Sequence, residues 1–356
     1  MINISDKQKI KFLLASKTKG GFVPLFDELR DPKSSKRLYI IKGGPGSGKS
    51  SLMKRVLKVL EDKKHSIEYI HCASDPSSLD AFIDYDAGIA MVDGTAPHIM
   101  DPGYPGAYDV IINMADCWDD MTLMQHKNKI ILLSDTISIC HHMATSCIAS
   151  AAALLDSNML YSKPYVKHDT VNDFIAKIIK KLEGSKIDKV KKRLLSAVSV
   201  GETVFFDETI EELSKSIYVI PDMWGATSHA LLSELHRTAS ALETPQIVCY
   251  CSIRTPDKID HIIFPSAGIS VTTANDFHRV KDKKHIVIPD LMSPIPHTIE
   301  EQMSLHLNKA KELIDIACKH IKRAKLLHDD LEAFYINAMD FSKVDFIYDS
   351  IIKEIS

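Results

Sequence analysis

The chain is written twice, and a repeated sequence constrains its fold more than any single motif does. Tyr39, Ile41, Gly46, Leu52 and Cys72 recur 179 positions later (218 minus 39) as Tyr218, Ile220, Gly225, Leu231 and Cys251. One inserted residue moves the offset to 180 (256 minus 76). Pro76, Asp80, Ala87, Gly88, Ile89 and His98 then meet Pro256, Asp260, Ala267, Gly268, Ile269 and His278. Upstream, Gly21, Phe26, Asp27 and Glu28 meet Gly201, Phe206, Asp207 and Glu208. Such a register implies a tandem duplication. The copies run over roughly 1–185 and 186–356, with the join in "EGSKIDKVKKR".

Each copy follows one plan. A β-rich strand (Arg37–Lys42 or Ile217–Ile220) enters a loop and then a helix with apolar residues at three-to-four spacing, as at Leu52, Val56, Leu57 and Leu60. "SIEYIHC" and "QIVCYCS" read as second strands, "AGIAMVD" and "AGISVTT" as third, "AYDVIIN" and "KHIVIPD" as fourth. Pro76 and Pro256 read as helix starts between the second and third strands. Strands alternating with helical stretches imply an α/β fold, two tandem domains each with a parallel sheet flanked by helices. A long helical region closes each copy, about Leu123–Leu155 and Ile299–Phe334. The series Leu313, Ile314, Ala317, Ile321, Ala324 and Leu327 suits an amphipathic helix packed on its own domain.

The loop of the first copy carries the chemistry. Gly43–Ser50, "GGPGSGKS", fits G-x-x-x-x-G-K-[ST], the phosphate-binding P-loop, between a strand and a helix as the motif requires. The backbone of Gly43, Gly44, Pro45, Gly46, Ser47, Gly48, Lys49, Ser50 and Ser51 forms the expected nucleotide cradle, each residue but Pro45 having an N–H to offer. Lys49 supplies a cation for the β- and γ-phosphates, and the Ser50 hydroxyl a ligand for Mg²⁺. Asp93, closing "GIAMVD", is the expected second metal contact, and Lys49 with Asp93 forms the catalytic pair. Gly94 stands where many ATPases place a catalytic glutamate. Asp75, Thr95, His98 and Asp101 are the replacement candidates; because the second copy keeps His278, a structural role is favoured for His98.

Charge narrows the reaction. From His65 to His126 there are eleven acids and no lysine or arginine. An arginine-bearing lid of the kind nucleotide kinases close over their substrates is therefore not visible. Any arginine finger has to come from Arg30, Arg37, Arg55, the second copy or another subunit; Arg254 replaces the aligned Asp75 but reads as a solvated loop residue. No [NT]KxD element ends a strand, so ATP is preferred over GTP.

In the second copy Asp222–His229, "DMWGATSH", stands in place of the loop. Ser228 replaces the lysine, His229 the serine and Thr273 replaces Asp93, so phosphate and metal functions are lost together. Trp224 reads as filler for the vacated space.

The net charge of −3 over 356 residues gives no pull towards nucleic acid or anionic membrane. No unbroken 18-residue apolar run and no signal-peptide core are present, and the seven cysteines lack metal spacing. The expected setting is cytoplasmic with reduced thiols.

The layout, with "GGPGSGKSSL", "HCASDPSSLD", "VDGTAPHIMDPGYPGAYD" and the echo "ISVTTANDFH", resembles a little-characterised family of tandem P-loop ATPases from Firmicutes. The resemblance implies two P-loop domains and ATP binding at Gly43–Ser50, with Asp93 as the further contact. Members often keep a loop in the second half too, from which this chain departs at Asp222–His229. The expectation is a Mg²⁺-dependent ATP-binding protein and slow ATPase, its nucleotide state coupled to the second half, to a protein partner or to self-association. A small-molecule or nucleotide kinase and a non-hydrolysing nucleotide-gated scaffold are the alternatives.

Overall fold

The computed structural model describes residues 10–182, 190–254, 256–280, 285–288 and 291–355. The expected join at residue 185 lies outside the described residues. In the first half the strands are β1 (Ile10–Phe12), β2 (Ala15–Thr18), β3 (Gly21–Pro24), β4 (Arg37–Lys42), β5 (Ile67–His71), β6 (Leu79–Asp84), β7 (Ile89–Asp93) and β8 (Asp109–Asn113). Helix α1 (Lys49–Asp62) follows β4, and α2 (Asp120–Gln125), α3 (Lys127–Ser162) and α4 (His168–Lys181) follow β8. The second half repeats this with β9 (Val190–Arg193), β10 (Ser196–Val198), β11 (Thr203–Phe205), α5 (Asp207–Leu213), β12 (Ser216–Pro221), α6 (Ala226–Ala241), β13 (Gln246–Tyr250), β14 (Ile259–Phe264), β15 (Ile269–Ala274) and β16 (His285–Val287). It ends in α7 (His297–Ala338) and α8 (Phe341–Ile355).

Two six-stranded sheets result, in orders β1-β5-β6-β7-β4-β8 and β9-β13-β14-β15-β12-β16, the same topology twice. Within these two sheets all pairings are parallel except those of β6 and β14, which run antiparallel to both neighbours, while β2–β3 and β10–β11 form separate antiparallel pairs. This corrects the expectation of helices after Pro76 and Pro256. Both segments turn straight back as strands, because "LDAFID" and "IDHIIF" are short, β-rich and buried along their whole length.

Alternation sorts the strands' side chains into layers. From β4, Tyr39 and Ile41 join Leu52, Met53, Val56, Leu57 and Leu60 of α1 in one core. Leu38 and Ile40 point the other way, into a core shared with Ile217 and Val219 of β12. The sheets therefore face each other, with α1 and α6 on their outer faces and Ile210 and Leu213 of α5 in the core between them. Equivalent residues meet between the halves: Leu13 and Leu194 exchange backbone hydrogen bonds of 2.9 and 3.0 Å. A buried ion pair, Arg193 Nε to Glu68 Oε1, links β9 to β5.

The closing helices are exchanged between the halves. Helices α3 and α7 lie antiparallel, as shown by Asn158 Nδ2 donating to the Met303 carbonyl at 2.8 Å and His126 packing on Phe334. Ala144, Ile148, Ala151 and Leu155 interleave there with Leu307, Ile314, Ala317 and Ile321. Thus α7 packs on the other copy's helix rather than on its own domain alone, because small residues on α3 let the two come close. Beyond the pair the chains cross over. Val171, Ile175 and Ile178 of α4 cover the second-half core, and Val344 and Ile351 of α8 cover the first. By length and composition alone, Lys127–Tyr165 is a helix long and apolar enough to cross a membrane, with mean hydropathy 1.3 and 28% of that window buried. Its serines, threonines and histidines are why no unbroken apolar run shows in the sequence.

Candidate functional site

The glycine loop leaves the carboxyl end of β4, where parallel neighbours flank it: Ile41 stands opposite Asp93 of β7, and Lys42 opposite Asn113 of β8. Clefts at the carboxyl ends of parallel strands are where α/β folds bind ligands. Gly46 (φ 66°) and Gly48 (φ 87°) take left-handed conformations, and α1 starts at Lys49 directly after the second. Close approach matters as well as φ. A β-carbon on Gly43 would lie 2.7 Å from Met114 Cβ, so a side chain there collides with the segment after β8.

Lys49 and Asp93 are brought together as expected. Lys49 Nζ donates to the carbonyls of Gly43 (3.1 Å) and Gly44 (2.7 Å) and lies 3.6 Å from Asp93 Oδ2. Asp93 Oδ1 accepts from the Thr95 N–H at 3.0 Å and from the Thr95 hydroxyl, so Thr95 orients the carboxylate. The Ser47 hydroxyl turns back to the Gly44 carbonyl at 2.8 Å, and the Ser78 hydroxyl donates to Ser50 Oγ at 3.4 Å. Ser51, on the first turn of α1, is exposed, and Pro45 is half-buried at the loop's tip.

The candidate bases are committed elsewhere. His98 Nε2 lies 3.3 Å from Asp80 Oδ2 and its ring packs on Phe22 and Phe26, a structural placement. Asp75 accepts from Ser77 and faces Lys325 at 3.7 Å, and Asp101 pairs with Lys42 at 3.2 Å. Beneath the loop, burial and the nearby Asp93 push the Asp80 carboxyl up, and burial pushes the Lys17 ammonium down. The arginines are occupied too: Arg30 donates to the Asp101 carbonyl, Arg37 to Glu354 and Arg55 to Asp345.

The far side of the loop is built by the second half, which the motif reading missed. Glu332 Oε1 of α7 accepts from the Gly46 N–H at 3.3 Å. β-carbons on Gly44 and Gly46 would both come to 2.6 Å, from Tyr335 Cε1 and from the Glu332 carbonyl oxygen. Tyr335 stacks edge-on against Trp118, centroids 5.7 Å apart. His328, Asp329 and Glu332 bring ligand atoms within 4.8 Å of one another on this turn of α7. No spacing within one copy signals these contacts, since they join residues almost 300 positions apart.

The second loop holds its own anion. Asp222, aligned with Gly43 and 4% exposed, accepts from the N–H of Gly225 (2.8 Å) and of Ser228 (2.6 Å). Gly225 keeps the left-handed φ of 95°. Arg254 is a correction: far from solvated, it is buried, 3.5 Å from Asp156 of α3, because the crossing helix covers the tip of β13. Lys258, at the position of Ser78, is buried against Asp260. Burial alone would raise the Asp260 carboxyl, but Lys258 and the neighbouring His278 hold it well below the usual range. Trp224 packs into the α3–α7 core rather than into the loop; the side chain in the loop is Asp222.

A family model described as Nephrocystin 3, N-terminal, matches residues 23–82, the segment containing the glycine loop, α1 and β5. No curated protein and no solved structure matches the chain.

Proposed function

We propose that Gly43–Ser50 binds ATP with Mg²⁺ and that the protein is a slow ATPase with one working site, a tandem P-loop ATPase of the kind its sequence resembles. The observation that carries this is the joint placement of left-handed glycines, Lys49 and Asp93 at the carboxyl ends of adjacent parallel strands. Donor chemistry fits the group. The Ser50 hydroxyl and the Asp93 carboxylate are hard oxygen ligands suited to Mg²⁺, and the loop amides suit phosphate oxygens. Bound Mg²⁺ would neutralise charge developing on the phosphoryl oxygens. Lys49 orients and neutralises the β- and γ-phosphates, the loop amides hold them, and Asp93, fixed by Thr95, retains the metal. Slow turnover follows from the base that is missing: Gly94 succeeds Asp93, and Asp75, His98 and Asp101 are engaged elsewhere.

Hydrolysis is favoured over kinase chemistry because Arg30, Arg37 and Arg55 are held by the Asp101 carbonyl and by carboxylates of α8. All seven cysteines are unbridged, which supports a reducing, cytoplasmic setting. The test is Lys49→Ala in the full chain, followed by MgATP titration and phosphate release. The expected outcome is loss of both; a variant that binds and hydrolyses like the parent overturns the reading.

A further inference from the structure

The nucleotide loop is closed by a carboxylate that does not belong to its own half. A loop N–H that would face phosphate, that of Gly46, is taken by Glu332 of α7 at 3.3 Å. The cover is not a single hydrogen bond. The α7 backbone at Glu332 lies against Gly46, the Tyr335 ring lies over Gly44, and Phe341 Cε1 would stand 3.7 Å from a β-carbon on Gly48. A polyphosphate entering the cradle needs the same N–H and brings like charge to within a few ångströms of the Glu332 carboxylate. Such a pair repels. The two cannot share the loop.

The second half shows the same solution made permanent, where the Asp222 carboxylate fills the corresponding turn through two backbone N–H groups. In both halves, then, the loop is satisfied by a carboxylate. Only in the first does that carboxylate arrive on a separate element that can withdraw.

We infer that Glu332 is a displaceable stand-in for phosphate: the end of α7 and the start of α8 hold the first loop shut, and nucleotide binding lifts them. The inference rests on the nucleotide reading of Gly43–Ser50. It makes α7 the element that nucleotide moves. Its other end lies along α3, where Met303 accepts from Asn158.

The test uses the full chain with Mg²⁺ and a fluorescent ATP analogue. Glu332→Gln and Glu332→Ala should bind about tenfold more tightly than the parent, the size expected for removing a competing charge-assisted hydrogen bond. Asp330→Asn, an exposed neighbour on α7, should leave affinity unchanged. A second readout needs no change at Glu332. In a Trp224→Phe background Trp118 is the sole tryptophan, and its emission should shift with MgATP as Tyr335 leaves. If the parent binds, Lys49→Ala does not, Glu332 variants bind no more tightly and Trp118 is silent, the plug is overturned while the nucleotide site stands. If no natively folded version binds nucleotide, the site reading falls and the plug falls with it.

Discussion

The two glycine turns of this chain solve one physical problem in different ways. A turn that points successive N–H groups inward is a fixed positive concavity, and buried donors need acceptors. At Asp222–His229 the acceptor is the turn's own first residue, two backbone hydrogen bonds of 2.8 and 2.6 Å tied to the chain they serve. At Gly43–Ser50 the first residue is glycine, and the acceptor comes from α7, reaching one N–H at 3.3 Å. A local carboxylate cannot leave without unfolding the turn; a carboxylate on another element can. One turn is tied as a structural joint, while the other keeps Lys49 beside Asp93.

The largest expected effect probes that contrast directly. Asp222→Ala removes two charge-assisted hydrogen bonds and leaves the N–H groups of Gly225 and Ser228 buried without an acceptor, a loss of about 4 kcal/mol of stability. Chemical denaturation of the full chain measures it. Lys49→Ala should cost clearly less while abolishing nucleotide binding. Equal destabilisation by the two variants would break the distinction between joint and site.

The helix pair gives the next effect. His141 of α3 is half-buried, with Lys17 and His328 of α7 near enough to act on its charge. Burial, then the charges of Lys17 and His328, push the His141 imidazole down to about 4 from its usual 6.5. Because the folded pKa is the lower, this stability is complete above about pH 6.5 and is lost as pH falls towards 4. The shift corresponds to at most about 3 kcal/mol. Denaturation at pH 7 and pH 4.5 should show the loss, and His141→Leu should flatten it in part. His71, His229, His261 and His278 are shifted the same way, so some slope remains.

What was legible in the sequence follows from what is local. The strand before the first turn, the turn and the helix after it are written within 26 residues (37 to 62), so Arg37–Lys42, Gly43–Ser50 and a helix carrying Leu52, Val56, Leu57 and Leu60 read directly. The duplication was legible because equivalent residues keep one register. The antiparallel reversal of β6 was not: a proline followed by buried apolar residues suits a helix start as well as a turn into a strand. The exchange of α4 and α8 was not legible either. "NDFIAKIIKKL" and "VDFIYDSIIKEI" show helices with an apolar face but not whose core covers it. Glu332 escaped for the same reason, as an unremarkable acid on a charged helix until the fold sets it on Gly46. Asp222 gave no such signal, since its two acceptor bonds depend on the turn surviving its lost glycines.

The smallest expected effect concerns how firmly each turn's helical cover is held. Helix α4 buries Val171, Ile175 and Ile178 on the second half, whereas α8 buries only Val344 and Ile351 on the first and leaves Phe346 75% exposed. Helix α8 is pinned at its rim by Arg55 to Asp345 (2.7 Å) and Arg37 to Glu354 (2.9 Å), both partly solvated. Such pairs contribute under about 1 kcal/mol each. Arg55→Ala with Arg37→Ala should therefore barely change global unfolding, yet it should raise amide exchange across Phe341–Ile355 and leave His168–Lys181 protected. A removable cover, as inferred above for the first turn, requires that asymmetry, because the helix over that turn must open at a free energy well below that of unfolding. Hydrogen exchange rising equally in α4 and α8 would show the two covers to be equally fixed.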